Sequence, residues 1–505
     1  MIELPDFAPL STSETSRLLT RSVLDALDHV LVVAAKRSAS SGLAKLPYGK
    51  QLAVLLARAT RRGETMAASR ATNARATGIT LATFGATTAF GAASWATKTL
   101  REILRDKPGT LGVTFVGLDA DAQRRAATAV IAAAHAAAFA LPTFKSKPEH
   151  GARAPLKKLQ LLGCRTRLDL ATERAAALGN NVARWFTALP PNMLTAKSYR
   201  DAIAELAEAR GIRCRFIGEA DLDKLGAGAF LAVARGNATR DAGIVHLTYH
   251  PRQRHPALTL VGKGVLFDTG GTNLKSFTNM LDMHTDMQGS AVALGTLLAL
   301  AESNAPYRVD AWLALTENRV SAESYKSQDV VRAANGTTIQ VIHTDAEGRM
   351  ILADTLALAA RDAPQIMLDY ATLTGACVYA LTERYSGVFS NRSAANPLLT
   401  AAGAASGERV WPFPMDEDFD DSLKSDIADV RQCSVENAGD HILAARFLNR
   451  FVPAAVPWVH VDLSAGTHKG GLGHVPTDIT GFGVRLTLEL LRGTDPTQLA
   501  GELAT

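Results

Sequence analysis

A chain of 505 residues, 47% hydrophobic and 20% charged, has the make-up of a globular protein of about two domains, which excludes a disordered or fibrous one. Its four cysteines, Cys164, Cys214, Cys377 and Cys433, form no closely spaced pair. That argues against a disulfide framework or a thiolate metal site and fits a reducing, cytoplasmic setting.

The net charge of +5 is unevenly spread, because residues 1–175 hold 25 Lys+Arg against 13 Asp+Glu and the remainder is acidic. The opening MIELPDFAPLSTSETSRLL has no basic stretch ahead of an apolar core, so no signal peptide is expected. Short β-like runs, HVLVVAA and GVTFVGL, then alternate with Ala-rich helical stretches. Residues 1–166 are therefore expected to form a small α/β domain. Its basic side chains, among them Arg58, Arg61, Arg62, Arg70 and Arg75, fit a solvated face or a subunit contact better than a nucleic-acid surface. The uncharged run from Ala126 to Leu141 is mostly alanine, with a histidine inside it, and reads as a buried helix; no membrane span is expected.

Apolar positions at helical spacing over about Leu168 to Phe186 stop at Pro190-Pro191-Asn192. Residues 167–190 are taken as a connecting helix and 191–505 as a second, larger α/β domain. Beyond Met193, strand-like runs (LTLVG, DAWLAL, IQVIH, IMLDYA, WVHVDL) alternate with helical ones, the latter starting near Ser290 and after Arg349. This order predicts a mixed, largely parallel sheet with helices on both faces. Ligands of such sheets bind where loops leave the carboxyl ends of the strands.

Two segments place carboxylates and cations in glycine-bearing turns directly after apolar runs. One is Val261 to Lys275 (VGKGVLFDTGGTNLK), continuing to MHTDM, and the other is His343 to Arg349 (HTDAEGR). Charge crowded against strand ends is unfavourable unless compensated, and divalent cations compensate carboxylates well. In an extended turn Asp345 and Glu347 point the same way, and Asp268 and Asp286 can complete a two-ion site. Taken alone, each of these residues is more often part of a solvated turn; what favours a metal centre is their joint occurrence in the order of a known family, as follows.

VGKGVLFDTGG, Lys275, MHTDMQG and TDAEGR closely resemble the signatures of the leucyl (cytosol) aminopeptidase family. LPPNMLT, ATLTGAC, SDIADV and TGFGVRL match further stretches of that family in the same order, so the likeness spans residues 185 to 495. The resemblance implies an exopeptidase that removes leucine and other apolar N-terminal residues from short peptides, using two divalent ions, Zn²⁺ or Mn²⁺. It implies Lys263, Asp268, Asp286, Asp345 and Glu347 as metal ligands, Asp268 and Glu347 touching both ions. Lys263 as a ligand has to be a neutral amine. Lys275 then stabilises the oxyanion, and Arg349 holds a bicarbonate ion that shuttles the proton. Thr372, Leu373 and Gly375 line the substrate cleft, and the assembly is a homohexamer.

The sequence departs from the family pattern at His284, His343 and Thr272-Asn273, none of them an implied ligand. Asp282, four residues before Asp286, is a near decoy. Asp354, Asp369, Asp426 and Asp429 are assigned to support of the fold, and Cys377 to a buried thiol. The competing reading is a DNA-binding regulator that uses the basic N-terminal part; nucleic acid is not the expected partner.

Overall fold

The computed structural model describes residues 2–35, 42–147, 156–251, 256–436 and 438–504. The chain divides into two units: Phe7–Ala177 with Lys469–Asp478, and Met1–Asp6 with Leu178–His468 and Ile479–Thr505. Both are α/β, as the alternation of strand-like and helical runs predicts. Among the described residues no helix is long and apolar enough to cross a membrane.

The N-terminal unit is built on a six-stranded sheet. In chain order its strands are β1 (Ser11–Thr15), β2 (His29–Ala35), β3 (Met66–Arg70), β4 (Gly78–Phe84), β5 (Thr110–Val116) and β6 (Lys158–Leu162). They lie in the order β1-β6-β5-β2-β4-β3, all parallel except the β3–β4 pair. HVLVVAA coincides with β2, and its apolar side chains are buried on both faces, as expected of a central parallel strand. The Ala-rich run is helical up to Ala138, in helix α1 (Ala120–Ala138), whose small side chains are largely buried, while Phe139 to Leu141 lie beyond its end.

The larger unit is organised around an eight-stranded sheet. Its strands are β7 (Arg213–Gly218), β8 (Gly243–Tyr249), β9 (Pro256–Asp268), β10 (Arg308–Asn318), β11 (Ile366–Ala371), β12 (Ser386–Ser390), β13 (Val410–Pro412) and β14 (Trp458–Asp462). The spatial order is β13-β12-β14-β11-β9-β10-β8-β7, and the centre, from β14 through β11 and β9 to β10, is parallel. Four helices start on or near the loops at the strand ends: α2 (Gln288–Glu302), α3 (Glu347–Ala359), α4 (Gly375–Leu381) and α5 (Asp440–Asn449). Helices α2 and α3 are buried along almost their whole length, which is why LTLVG and the helical runs read as continuously apolar.

One irregularity in β9 sets up the site. Lys263 pairs with Ala314 and Val265 with Thr316, but the next partners are Asp268 and Asn318. Strand β9 therefore carries one more residue than β10 over that stretch, a β-bulge. In a regular strand Lys263 and Asp268, five apart, would face opposite sides of the sheet. The extra residue puts both on the same side, together with Asn318.

Candidate metal centre

Side chains from three chain segments converge beyond the ends of β9 and β11. Lys263 projects from within β9 and Asp268 from its last residue, Asp286 lies two residues before α2, and Glu347 is the first residue of α3. Helix N-termini carry partial positive charge, so Asp286 and Glu347 occupy positions that favour carboxylates. Carboxylate oxygens of Asp268, Asp286 and Glu347 all lie within 4.8 Å of one another, and all three residues are buried.

Two lysines divide this acidic cluster. The Lys263 amine lies 2.8 Å from Asp286 Oδ1 and 2.9 Å from Glu347 Oε1, and donates to the Thr372 carbonyl over 2.9 Å. The Lys275 amine lies 2.9 Å from Asp268 Oδ2 and 2.5 Å from Asp345 Oδ1. Asp345 and Glu347 thus meet different lysines across the cluster. Asp345 is also less buried than the other three carboxylates.

Burial pushes the Asp286 carboxyl well above the usual carboxylate range, against the pull of Lys263. Burial likewise raises Asp268, Glu347 and Asp345, each opposed by neighbouring lysine charge. For both lysines burial disfavours the charge, but the surrounding carboxylates outweigh it and hold the amines above their ordinary value. Even so, Asp286 Oδ2 and Glu347 Oε2 are buried and have no hydrogen-bond partner among the described residues. Buried carboxylate oxygens without donors are what a hard divalent cation satisfies.

Several polar residues that the sequence did not single out fix this geometry. Asn318 donates from Nδ2 to Asp268 Oδ1 over 2.8 Å and to the Thr344 carbonyl over 3.0 Å. Tyr325 donates its hydroxyl to that same carbonyl over 2.7 Å. Thr372 donates to Asp286 Oδ1 over 2.6 Å, and Asp462 accepts from Leu373 N and the Thr374 hydroxyl, pinning the strand end beside the cluster. Gly348 lies so close that a Cβ there would sit 2.7 Å from Lys263 Cε and Nζ.

The remaining candidates are distributed as follows. Thr372 and Leu373 are half-buried, and Gly375 is exposed at the start of α4. Asp282 is exposed, His284 half-buried and His343 exposed; neither histidine belongs to the carboxylate cluster. Asn273, one of the departures from the family pattern, accepts from Thr344 N through Oδ1 over 2.8 Å and so ties the two signature loops together. Asp354 accepts backbone amides of Phe230 and Ala334, each over 2.7 Å, and Asp369 pairs with His460 Nδ1 and Trp458 Nε1. Both therefore hold the fold. Cys377 is buried, and burial raises its thiol, the opposite of an activated nucleophile. Arg349 is almost fully buried, and its Nη2 donates to both oxygens of Asp440, over 2.9 and 2.8 Å.

Comparison with known proteins identifies the family. Residues 181–488 match the model of the cytosol aminopeptidase family, catalytic domain. The "Probable cytosol aminopeptidase" of Prochlorococcus marinus (strain MIT 9313) is 39% identical over 386 residues, 75% of this chain and 77% of that relative. The protein of the same name from Chlorobaculum tepidum is 36% identical over 359 residues, 70% of each. Among solved structures, a mutant tomato leucine aminopeptidase superposes with a TM-score of 0.82 at 26% identity, covering 97% of both chains. The bottromycin maturation enzyme BotP in complex with Mn gives 0.77 at 30% identity, covering 94% of this chain and 99% of that one. With a family model that spans most of the chain and curated relatives aligned over 70% or more of it, the chain belongs to the cytosol aminopeptidase family of metal-dependent peptide hydrolases.

Proposed function

We propose that this chain removes the N-terminal residue of short peptides, with leucine and other apolar residues preferred, at a two-cation centre held by Lys263, Asp268, Asp286, Asp345 and Glu347. The carrying observation is the buried convergence of three carboxylates, two of them with an unpartnered oxygen. A pair of divalent ions there supplies polarisation of the scissile carbonyl and a nucleophilic water at neutral pH. Zn²⁺ and Mn²⁺ both suit the oxygen-rich donor set.

The chain's own groups do the rest. Lys263 acts as a ligand only after giving up a proton, since an ammonium has no lone pair. Lys275, flanked by Asp268 and Asp345, keeps its charge and would stabilise the negative charge that grows on the carbonyl oxygen. Thr372 holds Asp286 in place, and Thr372, Leu373 and Gly375 form the edge along which the peptide lies. A hexameric assembly belongs to the same reading and rests on family membership; light scattering tests it.

The test of the reaction is release of leucine from a leucyl anilide by the full chain. Activity should vanish on thorough chelation and return with Mn²⁺ or Zn²⁺. Turnover that survives complete metal removal would defeat the reading.

A further inference from the structure

We propose that Asp440 is a built-in anion on Arg349, and that this chain takes no dissolved bicarbonate there, contrary to what its resemblance implies. The inference rests on the aminopeptidase reading above.

Arg349 follows Glu347 by two residues on α3, and its side chain is only 2% exposed. A guanidinium recognises an oxyanion by presenting N–H donors in a fork. Here Nη2 is taken by both carboxylate oxygens of Asp440, over 2.9 and 2.8 Å, and Nη1 donates to the Gln432 carbonyl over 3.3 Å. Nε is the guanidinium nitrogen without a hydrogen-bond partner among the described residues, and it is buried. A second anion would have to share one buried cation with Asp440, and two like charges against a single guanidinium repel. The Asp440 carboxylate therefore already supplies the anion that this guanidinium would otherwise recruit from solution.

Asp440 is placed to take over its position. It is the first residue of α5, a ten-residue helix whose positive end favours a carboxylate. Its side chain keeps 26% exposure, so it stands at the border between the buried arginine and solvent. The His343 ring feels Lys275, Asp440, Arg349 and Glu347 together, so the pair and the acidic cluster share one neighbourhood. An oxyanion fixed to the chain is present at a high effective concentration, independent of dissolved carbon dioxide.

The experiment uses the Mn²⁺-loaded full chain in carbon dioxide-free buffer, with and without millimolar bicarbonate. Wild-type hydrolysis of leucyl anilide should change by less than about twofold on addition. Asp440→Gly, which opens the guanidinium, should lose roughly tenfold or more and recover with bicarbonate or formate. Asp440→Asn, similar in size but uncharged, should lose activity and not recover. Calorimetry with bicarbonate should show no binding to wild type and binding to Asp440→Gly. Stimulation or binding in the wild type, or an Asp440→Gly enzyme that is neither impaired nor bicarbonate-dependent, would overturn the proposal. If no form hydrolysed any N-terminal anilide, the aminopeptidase reading would fall, while the calorimetry would still decide the anion.

Discussion

Asn318 stands directly across the β9–β10 pair from Asp268 and donates its side-chain amide to that carboxylate over 2.8 Å. The same amide group reaches the Thr344 carbonyl, just ahead of Asp345. One neutral side chain thus links the two acidic loops, orienting Asp268 without adding charge. Partners of this kind commonly set metal affinity as strongly as the ligands do.

Asn318→Leu should accordingly bind metal about 10–100-fold more weakly while folding normally. Titration of the metal-free protein with Mn²⁺, followed by calorimetry, measures this. An unchanged affinity would show that Asp268 needs no such support.

Glu347→Ala should lower turnover by roughly 10²–10³-fold or more, because a buried carboxylate at the centre of the cluster is removed. Metal content per chain should fall with it. Circular dichroism checks that the variant is folded, and near-normal turnover in a folded protein would remove Glu347 from the site.

Gly348→Ala addresses crowding rather than charge. A methyl group 2.7 Å from Lys263 Cε and Nζ must displace that amine or tilt the start of α3. Overpacking of this type costs about 1–3 kcal/mol. Activity should fall further than thermal stability does, which parallel melting curves and anilide assays resolve.

The N-terminal unit should weaken in mild acid through His29. Burial lowers its imidazole to about 4, partly opposed by Asp106, while the unfolded chain titrates near 6.5. Its Nε2 meets the Thr80 hydroxyl over 2.9 Å, and Nδ1 has no hydrogen-bond partner among the described residues. Between these values the unfolded chain holds more protons, so stability is complete above about pH 6.5 and falls as pH drops towards 4. The loss is at most on the order of 3 kcal/mol. Denaturant melts of wild type and His29→Gln across this range should converge at low pH, and a parallel fall in both would exclude His29 as the cause.

Much of this was legible in the sequence, for identifiable reasons. HVLVVAA, DAWLAL and WVHVDL are central strands buried on both faces, so apolar residues recur on both sides of each, with only a few buried polar residues between them. The expected helix after Arg349 begins two residues earlier, at Glu347, because that glutamate opens the first turn. IQVIH was harder to read: pairing covers only Thr338–Gln340, after which the Ile342 and His343 amides turn to Gln432 Oε1. Asn318 and Asp440 lie 50 and 91 residues from the groups they bind, and polar residues at strand and helix ends have no periodicity to betray them. Asp345 and Glu347 looked like one paired unit, yet the start of α3 turns them towards separate lysines.

The bulge in β9 makes this protein unusually sensitive to length at one place. Adding a single residue to β10 between Thr316 and Asn318 would even out the two strands and let them pair regularly with the core intact, but would swing Asp268 and Asn318 through to the face opposite Lys263. Such an insertion should yield a well-folded, inert protein.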